Sequence, residues 1–260
     1  MTTAIKNGVE TLSLDLETLS IHRNESAPIR LAEDEIHVWR VGLDNFLPNC
    51  LQAVLSADEL LRASRYRFER DHNRFIVARS ILRILIGTYL LMEPQRLVFG
   101  YGEYGKPHLN LPAPRPTVRF SVAHSDRLAL YAISRDRELG VDVEFVRDYF
   151  ANEAIAEHFF SPNEVVQLRS VPMTMRTTAF FNCWTRKESF IKARGEGLSL
   201  PLNIFDVSLV PGEPAALLSY HPDSTEVSRW SMREIPVEPG FAAALTSEGD
   251  NCYLSTFDLK

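Results

Sequence analysis

The chain has 260 residues, and 28 Lys and Arg against 34 Asp and Glu give a formal charge of −6, with 45% apolar and 24% charged residues. This is the make-up of a globular protein with one large domain or two of about 130 residues, and it excludes collagen-like, fibrous and wholly disordered chains. The longest nearly unbroken apolar stretch, Ile84 to Met92, is about half of the roughly 20 residues a membrane span needs. The N-terminus lacks a basic region followed by an apolar core, so no membrane association and a cytoplasmic address are expected. Cys50, Cys183 and Cys252 are odd in number and widely spaced, which predicts reduced thiols rather than a disulfide framework or a metal knuckle. The acidic balance argues against bulk nucleic-acid binding.

Residues 1–34 are polar, acid-rich and without a sustained apolar period, which reads as a tail or loosely attached N-terminal arm. Alternation from Ile36 to Val41 predicts a strand, and Ser56-Ala-Asp-Glu59 predicts a capping box opening a helix. A longer helix is expected from about Asp71 to Met92. Leu111-Pro-Ala-Pro-Arg-Pro116 reads as an extended loop, and Val118–Val122 and Leu128–Ile133 as strands. The scheme then recurs: a strand at Leu139–Glu144, a second box at Ser161-Pro-Asn-Glu164 and a second long helix from about Thr177 to Ala193. The two boxes, and Phe75 and Phe180 in the helices that follow, are both separated by 105 positions. That spacing suggests an internal duplication. Strands at Phe205–Leu209, Arg229–Ile235, Phe241–Leu245 and Tyr253–Phe257 complete an α+β chain. Its expected division is arm 1–34, an N-terminal half 35–135 and a C-terminal half 136–260.

Asp142 and Glu144 flank Val143, and the two-residue period of a strand sends both carboxylates to one face. An oxygen-only pair of this kind suits Mg²⁺, although a solvated face with salt bridges is an alternative at this point. Trp184, Glu188 and Lys192 form one stripe of the second long helix, with Lys187 beside it; a surface ion pair would produce the same spacing. Seven arginines lie between Arg62 and Arg83, among them Arg74 and Arg79. Arg79 and Arg83, one turn apart, present guanidinium groups suited to phosphate oxygens. Lys106, Pro107 and His124 sit at turn or strand edges. No P-loop, dinucleotide fingerprint or hydrolase triad is readable.

In this order Gly105-Lys-Pro107, Phe120-Ser-Val-Ala-His-Ser125, Gly140-Val-Asp-Val-Glu144, Phe159-Phe-Ser-Pro-Asn-Glu164 and Trp184-Thr-Arg-Lys-Glu-Ser-Phe-Ile-Lys192 with Gly195-Glu-Gly-Leu198 resemble the Sfp-type 4′-phosphopantetheinyl transferases, from about Glu35 onward. The resemblance implies a pseudo-two-fold dimer of two similar α/β halves, monomeric as a chain, with coenzyme A in the cleft between them. It implies transfer of the phosphopantetheine arm to a serine of an apo acyl or peptidyl carrier protein, with release of 3′,5′-ADP. By the same resemblance Asp142, Glu144 and Glu188 would hold Mg²⁺ or Mn²⁺, with Glu188 also a candidate base. Lys192 would face the phosphate under attack, with Lys187 nearby. Lys106, Pro107, His124, Arg62, Arg74 and Arg79 would line the coenzyme A side. The family's histidine motif usually reads Phe-Asn-x-Ser-His-Ser, so Ser121 and Ala123 depart from it and imply a lost hydroxyl contact to phosphate. Two other readings compete: a Mg²⁺-dependent hydrolase of coenzyme A, distinguished by its indifference to an acceptor, and a non-catalytic phosphate or nucleic-acid binder built on the arginine helix, distinguished by salt-dependent affinity.

Overall fold

The computed structural model describes residues 9–15, 20–22, 29–110 and 118–260; the Pro-rich loop expected at 111–116 lies outside them. In chain order the elements are β1 (Val9–Asp15), β2 (Ser20–His22), β3 (Glu35–Gly42), α1 (Pro48–Leu51), α2 (Ala57–Ala63), α3 (Glu69–Leu90), β4 (Phe99–Tyr101), β5 (Pro107–Leu109), β6 (Val118–Ser125), β7 (Leu128–Arg135), β8 (Leu139–Phe145), α4 (Glu153–Phe159), α5 (Pro162–Ser170), α6 (Met173–Arg194), β9 (Phe205–Val207), β10 (Leu217–Tyr220), α7 (Glu226–Arg229), β11 (Trp230–Glu234), β12 (Phe241–Glu248) and β13 (Tyr253–Leu259). The α+β class expected from the sequence is the class observed.

Six strands form one sheet in the order β2-β1-β13-β3-β7-β6, and three form a second in the order β11-β12-β8. Strand alternation divides the apolar residues between layers. On β7, Ala129, Tyr131 and Ile133 face α3, where Val77, Ile81 and Leu85 fill the first core. Leu128, Leu130 and Ala132 point the other way and meet Val141, Val143 and Leu245 of the second sheet. A third core, rich in aromatic residues, packs α6 through Phe180, Phe181 and Phe190 against Phe160, Phe205 and Trp230. The order is therefore α3, first sheet, second sheet, α6.

β6 and β8 are the facing edges of the two sheets and are joined by serine hydroxyls rather than by a ladder. Ser121 Oγ accepts the Val141 N–H at 3.1 Å, and Ser125 Oγ accepts the Phe145 N–H at 3.0 Å. An edge strand with unpaired amides is a liability, and two serines four residues apart satisfy it here. Ser121 is thereby committed to structure, while Ala123 is buried between the sheets.

Two sequence expectations change. Residues 9–15 are not loosely attached: β1 pairs in parallel with β13, and Leu12, Ile29 and Leu31 are buried in the first core. Alternate Leu12 and Leu14 carried too short a pattern to register as a strand. The boundary at 135/136 does not separate the sheets either, because β13 lies between β1 and β3 in the first sheet.

Candidate functional site

Gly140 decides how closely α6 approaches β8. A Cβ at this position would lie 2.1 Å from Ser189 O and 2.3 Å from Ala193 N, so only glycine lets the last turns of the helix lie flat on the strand. The strand period then turns Gly140, Asp142 and Glu144 toward α6 and leaves Val141 and Val143 in the core between the sheets. Lys192 Nζ meets Asp142 Oδ1 at 2.6 Å, and Glu188 stands one turn earlier on the same helix.

Asp142 is 4% exposed, and its second oxygen, Oδ2, is buried without a hydrogen-bond partner. Burial pushes the Asp142 carboxyl up to about 7; Lys192 opposes the rise, and the Glu144 and Glu188 charges add to it. Burial likewise raises Glu188, with Lys192 opposing and Glu144 reinforcing. Burial works against the Lys192 ammonium, yet the charges of Asp142, Glu188 and Glu144 hold its pKa above the ordinary range. Two carboxyls raised by burial and by the neighbouring Glu144 charge, beside an orphaned oxygen, describe a place short of positive charge. Among the described residues no group of three or more carboxylate, histidine or cysteine side chains is arranged as a metal-holding set. An open oxygen set of this kind fits a hard cation that keeps several of its waters.

Beside this cluster a cleft of about 240 Å³ runs between α2, α3 and β6, lined among others by Arg62, Tyr66, Phe75, Arg79, Pro107 and His124. His124 belongs to the β6 face opposite the serines. Its ring reaches the cleft surface, but the surrounding walls withhold enough water to lower its pKa, and the Lys192 and Arg62 charges lower it further. The histidine thus stands between the cleft and the carboxylate cluster.

Comparison with known proteins decides the family. Residues 39–135 match the family model described as 4′-phosphopantetheinyl transferase, N-terminal, and residues 138–246 that of the 4′-phosphopantetheinyl transferase superfamily. The chain is 36% identical over 223 residues, 85% of its length and 91% of the relative's, to the 4′-phosphopantetheinyl transferase HetI of Nostoc sp.. It is 30% identical over 194 residues, 74% of its length and 82% of the relative's, to the 4′-phosphopantetheinyl transferase Sfp of Bacillus subtilis. A putative 4′-phosphopantetheinyl transferase of Synechocystis sp. is 38% identical over 200 residues, 77% of this chain and 79% of that one. The chain belongs to the 4′-phosphopantetheinyl transferase superfamily. It is an enzyme of that class and transfers phosphopantetheine, and no helix among its described residues is long and apolar enough to cross a membrane.

Not every residue expected at a transferase site stands free to act there. Lys187 is wholly buried: its ammonium pairs with Glu164 at 2.8 Å and donates to the Leu202 and Phe205 carbonyls at 2.7 and 2.6 Å. All three donors are used, so it has none left for a phosphate. Lys106 is likewise engaged, with Glu138 at 2.8 Å, Ala193 O at 2.9 Å and Leu139 O at 3.2 Å, and fastens the Gly105 turn to the end of α6. Arg74 gives Nε and Nη2 to Asp44 at 2.8 and 2.7 Å and Nη1 to Asp126 at 2.8 Å, outside the cleft that holds Arg62. Arg79 reaches that cleft but is paired with Glu59, and Arg83 is buried on the same carboxylate. Arg62 reaches it with no ion pair among the described residues. The cleft's aromatic lining, Tyr66, Phe75 and Tyr101, and the role of Gly140 escaped the sequence reading. A glycine inside a strand pattern was the available signal for a close backbone approach.

Proposed function

We propose that this transferase moves the phosphopantetheine arm of coenzyme A to a serine of an apo acyl or peptidyl carrier protein at the meeting point of β6, β8 and α6. The observation that carries the reading is Lys192 against the buried, half-satisfied Asp142, with Glu144 and Glu188 around them. Arg62 and His124 bind phosphates at the nucleotide end, with Arg79 and Pro107 forming the wall beside them. The Lys192 ammonium faces an oxygen of the transferring phosphoryl group and stabilises its charge. Glu188, its proton affinity raised by burial and by the Glu144 charge, accepts the proton of the carrier serine. The serine Oγ–P bond forms at the β-phosphorus, the P–O bond to 3′,5′-ADP breaks, and the ADP leaves with the electron pair.

Asp142 and Glu144, with Glu188, would hold Mg²⁺, or Mn²⁺ on the same oxygens. When bound, that ion would neutralise charge on the pyrophosphate. The reading includes two similar halves acting as a pseudodimer within one cytoplasmic, monomeric chain. The equal 22-residue lengths of α3 and α6, and the matched capping boxes of α2 and α5 that precede them, support it.

Intact-mass measurement of an apo carrier protein incubated with the enzyme, coenzyme A and Mg²⁺ tests the reading. A gain of one phosphopantetheine is expected, lost with EDTA and with a serine-to-alanine carrier, and lost again with Asp142→Ala or Glu188→Gln enzyme. Coenzyme A cleavage without a gain by any carrier would overturn it in favour of a hydrolase, and near wild-type transfer by either variant would remove the residue roles.

A further inference from the structure

Arg74 and Ser125 have no part in the transfer step above, yet they stand at two points on one line of contacts that reaches it. Ser125 ends β6. Its hydroxyl donates to Glu144 Oε2 at 2.8 Å while accepting the Phe145 N–H at 3.0 Å. A hydroxyl has a single proton to give, and here it goes to the carboxylate. Among the described residues no other side chain hydrogen-bonds Glu144.

The next residue, Asp126, opens the two-residue turn to β7 with φ +49, in the left-handed region that aspartate tolerates better than most residues. Its carboxylate takes Nη1 of Arg74, whose other two nitrogens donate to Asp44. Arg74 is 11% exposed. On the far side of the turn the Leu43 N–H donates to Arg127 O at 2.7 Å, and Arg127 reaches Glu238 at 3.1 Å. The turn is thus held from α3 on one side, and from Leu43 after β3 and the β11–β12 connection on the other.

We infer that Ser125 is a positioning residue for the Glu144 carboxylate and that Arg74, through Asp126, holds the turn that places it. The inference rests on the reading of Glu144 as a cation-binding group. A glutamate loses rotamer freedom when it is ordered, and that loss opposes binding. Ser125 meets that cost before the cation arrives. It also gives Arg74 a function that the coenzyme A contact expected from the sequence does not.

The test is calorimetric titration of Mg²⁺ into enzyme saturated with coenzyme A, without carrier, for wild type, Ser125→Ala, Ser125→Thr, Arg74→Lys and Glu144→Gln, with a thermal melt of each. Ser125→Ala is expected to weaken Mg²⁺ binding roughly 10- to 100-fold, the usual effect of removing a group that orients a metal-bound carboxylate. Ser125→Thr should restore most of the affinity, and Arg74→Lys should fall between. If Ser125→Ala lowers the melting temperature but leaves Mg²⁺ affinity unchanged, the hydroxyl is only a cap for the β8 edge and the inference is overturned. Should Ser125→Ala fail to fold, Arg74→Lys decides: weaker Mg²⁺ binding supports the relay and unchanged binding overturns it. Glu144→Gln separates the two levels, because wild-type Mg²⁺ affinity in that variant would remove the cation-binding reading itself.

Discussion

Each half sets a capping-box glutamate beneath a 22-residue helix, and the two halves satisfy it differently. Glu59 receives two guanidinium groups, from Arg79 and Arg83 on α3. Glu164 receives one ammonium, from Lys187 on α6. Burial raises both carboxyls. At Glu59 the arginines and the Ser56 amide outweigh it, so its pKa falls below the usual range, whereas at Glu164 burial outweighs Lys187 and its pKa rises. In both halves the buried cation fixes the rotation of the helix about its axis. With Lys187 turned toward α5 and β9, successive residues advance by about 100°, and Glu188 and Lys192 are delivered to the opposite side, over β8. On α3 Arg79 lies along the cleft wall, whereas Arg83 is buried behind it on the Pro94 and Leu97 carbonyls.

Removing Lys187 probes that division most severely. Lys187→Met leaves Glu164 buried without its cation and should destabilise the protein by about 3–5 kcal/mol, the cost of breaking a buried pair from one side. Lys187→Met with Glu164→Gln should recover much of the stability in denaturant titrations, together with transfer activity. A stable double variant with a raised KM for coenzyme A would return Lys187 to the substrate and break the contrast between the two lysines of α6.

Lys192→Ala tests the other face of the same helix. Its kcat/KM for carrier modification should fall by about 2–4 kcal/mol of transition-state stabilisation, the scale of one lost charge-stabilising contact. An unchanged rate would place phosphate stabilisation elsewhere.

The smallest effect sharpens the comparison from the first half. Glu59→Gln keeps a side chain able to close the capping box but removes the charge. Because Glu59 is held below its ordinary pKa, its charged contacts stabilise the fold fully above about pH 4.5 and are lost as the pH falls through the folded value. The gap between wild type and variant, about 1.5–3 kcal/mol near neutrality on the scale of hydrogen bonds to charged groups, should close on acidification. A gap that widens toward low pH would contradict the lowered pKa.

The long helices, both capping boxes and the β8 carboxylates were legible because each writes a local pattern. The helix read from Asp71 and the helix read from Thr177 begin at Glu69 and Met173, the first within the one or two residues by which helix ends vary and the second a full turn earlier than expected. What escaped depends on partners far along the chain. Arg74 and Arg62 look alike in sequence, and only the folded positions of Asp44 and Asp126 commit one of them to an internal clamp. Lys187 and Lys192 share a motif, and only Glu164 and Gly140 decide which is buried and which meets Asp142. Strand β1 is too short and too polar to announce itself without β13 beside it.

The placement of β13 also bears on the order in which this protein can be made. Its partners β1 and β3 precede it by more than two hundred residues, and Arg40 closes that separation with a paired contact to Asp258. Contacts of such long range slow folding, because loop entropy is lost before they form. A chain emerging from the ribosome can build α3 and the β6–β7 hairpin early, but its first sheet stays open, with β3 exposed along one edge, until residues 253–259 have been synthesised. The first half is in this sense the last to be finished.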